Sequence, residues 1–370
     1  MDSVTIEPVE NASALRAFVR FPERLYRGDP HWVSPLRRDE RARLSQSNPF
    51  FAHAEARLFL ARLDGGVVGR IAAIVDRSHL ERWKDEAGFF GFFEAMEDEA
   101  VAQALFDAAR RWLGPRGVTV MRGPFNPSTN DMCGLLVDGF QYPPRIMMPY
   151  NPSYYPRLFE RAGLRSTHEL LAYEVQIPPS LPEAIGRVAE AARNRGVRVR
   201  CLNPKRLAEE GERFRQVYNA AWAENWGFAP MSEGEAAWIA SQLRLVLVPE
   251  LALFAESEGR PVGFFLSLPD LNPALRALAG RITPWGLLRF LWRRRNLDEL
   301  RVVILGVLPE CRRRGVEALL LREAFHAMRR LGFRRAELGW ILEENAVARR
   351  AAERWNARVV KRYRIYEGSL

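Results

Sequence analysis

The sequence predicts an α/β protein of two similar units in tandem, each a mixed, mostly antiparallel central sheet flanked by helices. Three observations carry that expectation. Residues 301–321 pass from an apolar, β-branched segment through a basic glycine turn into apolar residues at helical spacing. A second strand-to-helix block follows at 336–355. Two strand–turn–strand patterns, 58–75 and 251–268, resemble each other, and one constant offset aligns Gly69 with Gly263, Asp76 with Asp270 and Asn151 with Asn345.

Taken in order, residues 58–75 read as a hairpin around Asp64, Gly65 and Gly66. A strand at 89–93 is followed by Glu94, Glu97, Asp98 and Glu99, expected as an acidic first helical turn that complements the helix dipole and repels phosphate. The strand 118–121 leads into a polar, turn-rich loop, 122–134, which is either turn chemistry or part of an acceptor site. Asp131 in that loop is a carboxylate able to hold an ammonium. Pro178, Pro179 and Pro182 divide the chain into an N-terminal unit, 1–178, and a C-terminal unit, 179–370.

The second unit opens with a helix at 183–194 and a strand at 197–201. The aromatic-dense segment 218–228, with Trp222 and Trp226, is expected to pack in the core at a helix end. After the hairpin around Glu258 and Gly259 comes an insertion, 270–297. A strand at 302–305 then ends before Pro309, and a helix starts at Val316. Asn345 is expected to cap a helix over 346–355, and Tyr363 and Tyr366 fall on a final strand, as packing residues or proton donors.

Apolar residues make up 48% of the 370, enough for sizeable cores, and no run is long enough to span a bilayer. The first ten residues lack the apolar centre of a secretory signal. Cys133, Cys201 and Cys311 are widely spaced, and the five histidines form no close ligand pair, so neither disulfides nor a metal are expected. A cytoplasmic location follows as the expectation. The formal charge of +10 is carried almost wholly by arginine and suits an anionic partner. No nucleic-acid-binding module is recognisable, so no nucleic acid is expected.

The chemistry concentrates in the turn. Arg312, Arg313, Arg314 and Gly315 stand between the strand and the helix that opens at Val316. Free backbone N–H groups and positive charge gather there, and glycine lets the backbone approach a phosphate. An ordinary turn with solvated arginines is the alternative. The pattern Val307-x-Pro309-Glu310-x-Arg312-x-x-Gly315-Val316 resembles the pyrophosphate loop of the GNAT superfamily of acyl-CoA N-acyltransferases. Glu317 departs from it, standing where that family has a small residue. Asn345 resembles the family's second block, although Ala352 occupies the position where a tyrosine general acid is frequent. Gly123-Pro124-Phe125-Asn126, Asn225-Trp226-Gly227-Phe228 and Lys361-x-Tyr363-Arg364-Ile365-Tyr366 extend the resemblance to long bacterial tandem-GNAT proteins, a subgroup that includes or neighbours the bacterial ceramide synthases.

That resemblance implies two GNAT-like units, of which only the second binds acyl-CoA, with Val307, Arg312, Arg313, Arg314, Gly315, Val316 and Asn345 in contact with it. Direct transfer to a primary amine is implied, with a backbone N–H near Val307 stabilising the oxyanion. Glu337, Glu343 and Asp131 are the candidate bases, each with a structural role as its alternative. Gly315→Glu is expected to abolish CoA binding with the fold intact. The insertion crowds Trp285, Leu287, Leu288, Phe290, Leu291 and Trp292 against Arg293, Arg294 and Arg295, which suits a membrane interface or a lid over an acyl chain. A lipidic amine such as a sphingoid base is therefore the expected acceptor, with 285–295 touching an anionic membrane at its inner face. An acetyltransferase for a small or protein amine, and a non-catalytic acyl-CoA-binding protein, are the rival readings.

Overall fold

The computed structural model describes residues 4–244 and 246–370. In the first half, β1 (Thr5–Pro8) edges the hairpin β2 (Ala54–Leu63) and β3 (Gly66–Asp76), which β4 (Ala87–Ala95) and β5 (Val120–Gly123) continue. The short β6 (Phe125–Asn126), β7 (Met132–Cys133) and β8 (Leu135–Asp138) precede a long last strand, β9 (Arg165–Gln176). Its helices are α1 (Ala12–Leu25), α2 (Arg37–Arg43), α3 (Arg77–Trp83), α4 (Glu99–Leu113) and α5 (Tyr155–Arg161).

The second half repeats the plan. Its strands are β10 (Arg198–Cys201), β11 (Ala252–Ser257), β12 (Arg260–Pro269), β13 (Glu299–Val307), β14 (Arg335–Leu342) and β15 (Arg358–Ser369). Its longer helices are α6 (Glu183–Asn194), α7 (Leu207–Ala221), α8 (Glu233–Leu243), α10 (Pro284–Arg293), α11 (Val316–Arg330) and α12 (Ala346–Glu353), and the short α9 (Asn272–Leu275) opens the insertion.

All the long strands join one sheet, in the order β1-β2-β3-β4-β5-β15-β9-β14-β13-β12-β11-β10. The two halves thus exchange their last strands. β15 pairs with β5 of the first half, and β9 pairs with β14 of the second. A cut near residue 178 would therefore take from each half a strand that lies in the other's sheet. Charge pairs tie the halves as well. Buried Arg145 meets Asp270 at 3.2 Å, Glu174 at 3.2 Å and also Glu299, while His53 sits between Asp76 (3.0 Å) and Glu235 (3.4 Å).

Each half holds one parallel pair, and each pair forks. The β4–β5 ladder ends at Phe89↔Arg122, and the β13–β14 ladder ends at Val302↔Leu338. In the first half the fork is filled by the chain itself. A β-carbon on Gly91 would stand 1.6 Å from the Phe125 carbonyl oxygen, the Phe92 N–H donates to Asn126 Oδ1 at 2.6 Å, and the Ala95 N–H donates to Tyr155 Oη at 2.8 Å.

Two expectations change here. Glu94 belongs to β4 rather than to a helical first turn, since α4 starts at Glu99 with Asp98 as its cap. Its Oε2 accepts from Tyr26 Oη and Tyr155 Oη, both at 2.8 Å, and Arg70 lies 3.8 Å from Oε1. Asn151 opens no helix. It braces β8, accepting from the Leu136 N–H at 2.7 Å, so its alignment with Asn345 reflects loop length and not shared geometry. Gly69 and Gly263 do correspond, lying opposite Ala61 and Ala255 on the two hairpins.

Burial outweighs the Arg70 charge and the two tyrosine hydrogen bonds, and it lifts the Glu94 carboxyl from 4.5 to about 7. A raised folded-state value gives a contribution complete below pH 4.5 and lost as pH climbs through 7. Glu94 therefore costs up to about 3 kcal/mol at pH 8. Glu94→Gln should stabilise the protein more at pH 8 than at pH 5 in urea unfolding; an equal change at both pH values would count against a titrating Glu94.

Candidate active site

The fork of the second half lies open where that of the first is filled. β13 keeps its ladder to β12 as far as Gly263↔Val307. On the opposite edge, no strand among the described residues lies beside 303–307 beyond Val302↔Leu338. Register shifts at the same level, at Val303 of β13 opposite Leu266/Ser267 and between Leu338 and Ile341 of β14, bend these two strands where they part. A backbone edge left this way offers N–H and C=O groups to an extended amide chain.

At the end of β13 the turn behaves as the sequence predicts. Arg313 and Gly315 take left-handed φ values of 59° and 82°, and Gly315 caps α11. Arg313 and Arg314 are exposed, whereas Arg312 donates to the Ala221 carbonyl at 2.8 Å and so anchors the end of α7. Val307 and Val316 are buried beside the turn. Glu317 is half-buried in the first turn of α11, where the dipole favours a carboxylate. Asn345 caps α12, its Oδ1 accepting from the Ala348 N–H at 3.1 Å. Ala352 is buried in the core beneath α12.

The face of the sheet opposite α6 and α11 carries the titratable groups. Arg301 is buried, donating to Gly339 O (2.8 Å), Met147 O (2.9 Å) and Ile146 O (3.1 Å). Glu337, 1% exposed, forms an ion pair with buried Lys361 through Oε2, while its Oε1 has no hydrogen-bond partner among the described residues. Tyr363 is fully buried next to them, its hydroxyl likewise unpartnered. Burial, with the Glu337 charge, raises its pKa well above the ordinary tyrosine value. Tyr366 instead packs edge-on against Phe159 in the core of the first half.

The loop 122–134 and the aromatic segment 218–228, read separately from the sequence, meet here. Tyr218 Oη donates to Asn130 Oδ1 at 2.7 Å, and Thr129 Oγ1 donates to the Gly227 carbonyl at 2.7 Å. Trp222 stacks on Tyr218 and lies against β13 so closely that a β-carbon on Gly306 would be 2.0 Å from its ring. Asp131 accepts from Ser128 Oγ at 2.8 Å, and burial pushes its carboxyl above the usual carboxylate range. Buried Cys133 senses both Arg301 and Asp131, which brings the Asp131 loop and the Glu337 cluster into one electrostatic neighbourhood. Glu343 stands apart at the end of β14, 42% exposed and paired with Arg362.

One residue escaped the sequence reading. His168 of β9 stacks on Trp226 with ring centroids 3.8 Å apart, and burial holds its imidazole below the usual pKa. Nothing local marks it, because the strand exchange alone carries β9 beside β14. Among the described residues no group of acidic, histidine or cysteine side chains could hold a metal ion, and no helix is long and apolar enough to cross a membrane.

Comparison with known proteins gives three kinds of match. The family described as Acetyltransferase (GNAT) matches residues 211–356. Protein YghO of Escherichia coli (strain K12) is 36% identical over 369 residues, covering 97% of this chain and 94% of that protein. The bacterial ceramide synthase of Caulobacter vibrioides is 34% identical over 375 residues, covering 99% and 98%. Among solved structures, a tandem GNAT protein from the clavulanic acid biosynthesis pathway superposes with a TM-score of 0.59 over 99% of this chain and 98% of its own, at 11% identity. That likeness fixes the fold as two GNAT units in tandem.

The matched span contains the glycine turn, whose geometry corrects one expectation. A β-carbon at Gly315 would stand 2.8 Å from the Val188 carbonyl oxygen of α6. Gly315→Glu therefore disturbs the packing of α6 as well as any phosphate contact. Gly315→Ala alone should cost about 1–3 kcal/mol, read as a lower thermal midpoint; an unchanged midpoint would mean that the turn is not held in this form.

Proposed function

The chain belongs to the acetyltransferase (GNAT) family, and on that premise we propose that it transfers an acyl group from acyl-CoA to a primary amine. The open fork of β13 and β14 above the arginine-flanked turn carries the reading. Arg313, Arg314 and the first N–H groups of α11 hold the diphosphate, and the pantetheine amides run along residues 303–307. Arg312, Val307, Val316 and Asn345 shape that path. The N-terminal unit, 1–178, supplies the acceptor side through the Asp131 loop, while 179–370 binds the cosubstrate.

The reaction is a direct transfer. Asp131 takes a proton from the ammonium, because burial brings its carboxyl nearer the working pH. The amine nitrogen attacks the thioester carbon, and a backbone N–H near Val307 receives the oxyanion. The C–S bond breaks, the thiolate leaves with a proton from Tyr363, and the proton shed by the attacking nitrogen returns Tyr363 to its neutral form. An amide, free CoA and one proton result. Glu337, neutralised by Lys361, sets the field around Tyr363 and is the second candidate base. Glu343, exposed and paired, is the third.

The best acceptor is a long-chain sphingoid base. The relative named bacterial ceramide synthase, similar over nearly its whole length, supports this choice. So does an apolar cluster against which Val303 and Ile304 of the fork and Phe290 of the insertion all pack. An acetyltransferase for a small or protein amine would leave that cluster without a role. A protein that only bound acyl-CoA would not need the half-buried Asp131 and the buried Tyr363.

Release of free CoA thiol in the presence of palmitoyl-CoA and sphinganine tests the activity. Strict use of acetyl-CoA would end the lipid reading, and tight acyl-CoA binding without turnover on any amine would end the enzymatic one. Arg313→Glu with Arg314→Glu should weaken acyl-CoA binding by about tenfold or more without lowering the thermal midpoint. Asp131→Asn should reduce kcat by about 100-fold and remove the acidic limb of the pH profile, which in the parent rises as Asp131 loses its proton. Glu343→Gln should stay close to the parent; a larger loss there than at Asp131 would reassign the base.

A further inference from the structure

The insertion presents a face that the rest of the protein does not use. α10 is held down through buried Gly286 and half-buried Phe290, which packs with Leu275 and Leu297. Its outer side carries Trp285 (78% exposed), Leu288 (58%) and Trp292 (65%), spaced three and four residues apart on one seam. Ile282 (55%) precedes them and Leu291 flanks them. Two tryptophans and two large aliphatic side chains, Ile282 and Leu288, more than half exposed within 282–292 are costly in water.

Charge defines what covers the face. Between residues 271 and 297 there are six arginines, Arg276, Arg281, Arg289, Arg293, Arg294 and Arg295, and no acidic residue. All six are exposed, and the last three extend past the apolar seam at the end of the helix. A protein partner of matching hydrophobicity would leave this charge unanswered unless it were strongly acidic. An anionic bilayer answers both features at once: the indoles sit at headgroup depth, the leucines reach the acyl boundary, and the arginines meet lipid phosphates.

We propose that α10 and the following arginines dock the protein on an anionic lipid surface, with Trp285, Leu288 and Trp292 inserted at the interface. This deepens the proposed function. It places the face at the start of β13, about 30 Å along a nine-residue strand from the phosphate turn at its end. The cosubstrate's charged end then stays in water while the fork faces the membrane side. The cluster joining Phe290 to Val303 and Ile304 gives an apolar path between them.

The test is co-sedimentation of the full chain with vesicles of phosphatidylcholine and phosphatidylglycerol in equal parts, and with phosphatidylcholine alone. Binding should favour the anionic vesicles and fall as salt is raised. Trp285→Ser with Trp292→Ser should lower the binding constant about tenfold or more, as should Arg293→Gln, Arg294→Gln and Arg295→Gln together. These side chains are exposed, so the thermal midpoints should match the parent. Turnover with a short-chain, detergent-dispersed amine should also be unchanged, which separates this proposal from the transferase reading. Equal pelleting of parent and variants would overturn the docking proposal. So would a stable dimer that dissociates on Trp285→Ser with Trp292→Ser, because the face would then be covered by a second copy.

Discussion

The parting of a parallel strand pair is the constraint from which the rest of this structure follows. A strand buried on both faces must satisfy every N–H and C=O, and an edge that loses its neighbour in mid-sheet must find other partners. The fold imposes this loss twice, at Phe89↔Arg122 and at Val302↔Leu338. In the first half the chain meets the demand itself, with Asn126, Tyr155 and the closely approaching Phe125. In the second half Trp222, at the end of α7, lies against Gly306, and no strand among the described residues pairs with the 303–307 edge that β14 leaves. One backbone plan thus gives a closed support and an open site.

The exchange of β9 and β15 makes the two halves interdependent. Because β9 lies next to β14, residues of the first half meet the aromatic segment of the second: His168 stacks on Trp226, and the Asp131 loop bonds to residues 218–229. The buried ion pair of Lys361 with Glu337 joins β15 to β14 across β9. Such pairs add little net stability once desolvation is counted, yet breaking one leaves an uncompensated charge. Their value here is positional: they hold the register at the level where the fork begins.

What the sequence could disclose was set by the range of each interaction. The hairpins, β13, the turn and α11 rest on contacts within a few residues, and their hydrophobic period and turn chemistry stood out directly. Glu94 was misassigned because a strand end and a helix cap look alike when four carboxylates fall within six residues. Asn151 misled because two unequal loops compensated in length. The strand exchange, the docking of Trp222 on Gly306 and the stacking of His168 on Trp226 depend on partners far away along the chain, and no local pattern records such pairings. Asp131 was legible as a candidate because a carboxylate in a loop of turn residues is conspicuous; its burial was not.

The placement of charge decides which end of the fork does what. Lone arginines at a helix start could be solvated surface, but Arg313 and Arg314 stand at the open end of an unpaired strand edge, opposite the insertion that gathers the aromatic seam. A soluble acceptor would need neither that seam nor the apolar packing of Phe290 with Val303 and Ile304. In the proposed reaction a lipid amine uses both: its chain leaves a bilayer and lies beside the acyl group while its nitrogen reaches Asp131. The same geometry explains why the first half keeps the acidic Glu97, Asp98 and Glu99 where the second has arginines. With its fork filled by Phe125 and Asn126, it has no diphosphate to attract, and there a carboxylate at the start of α4 serves only the helix.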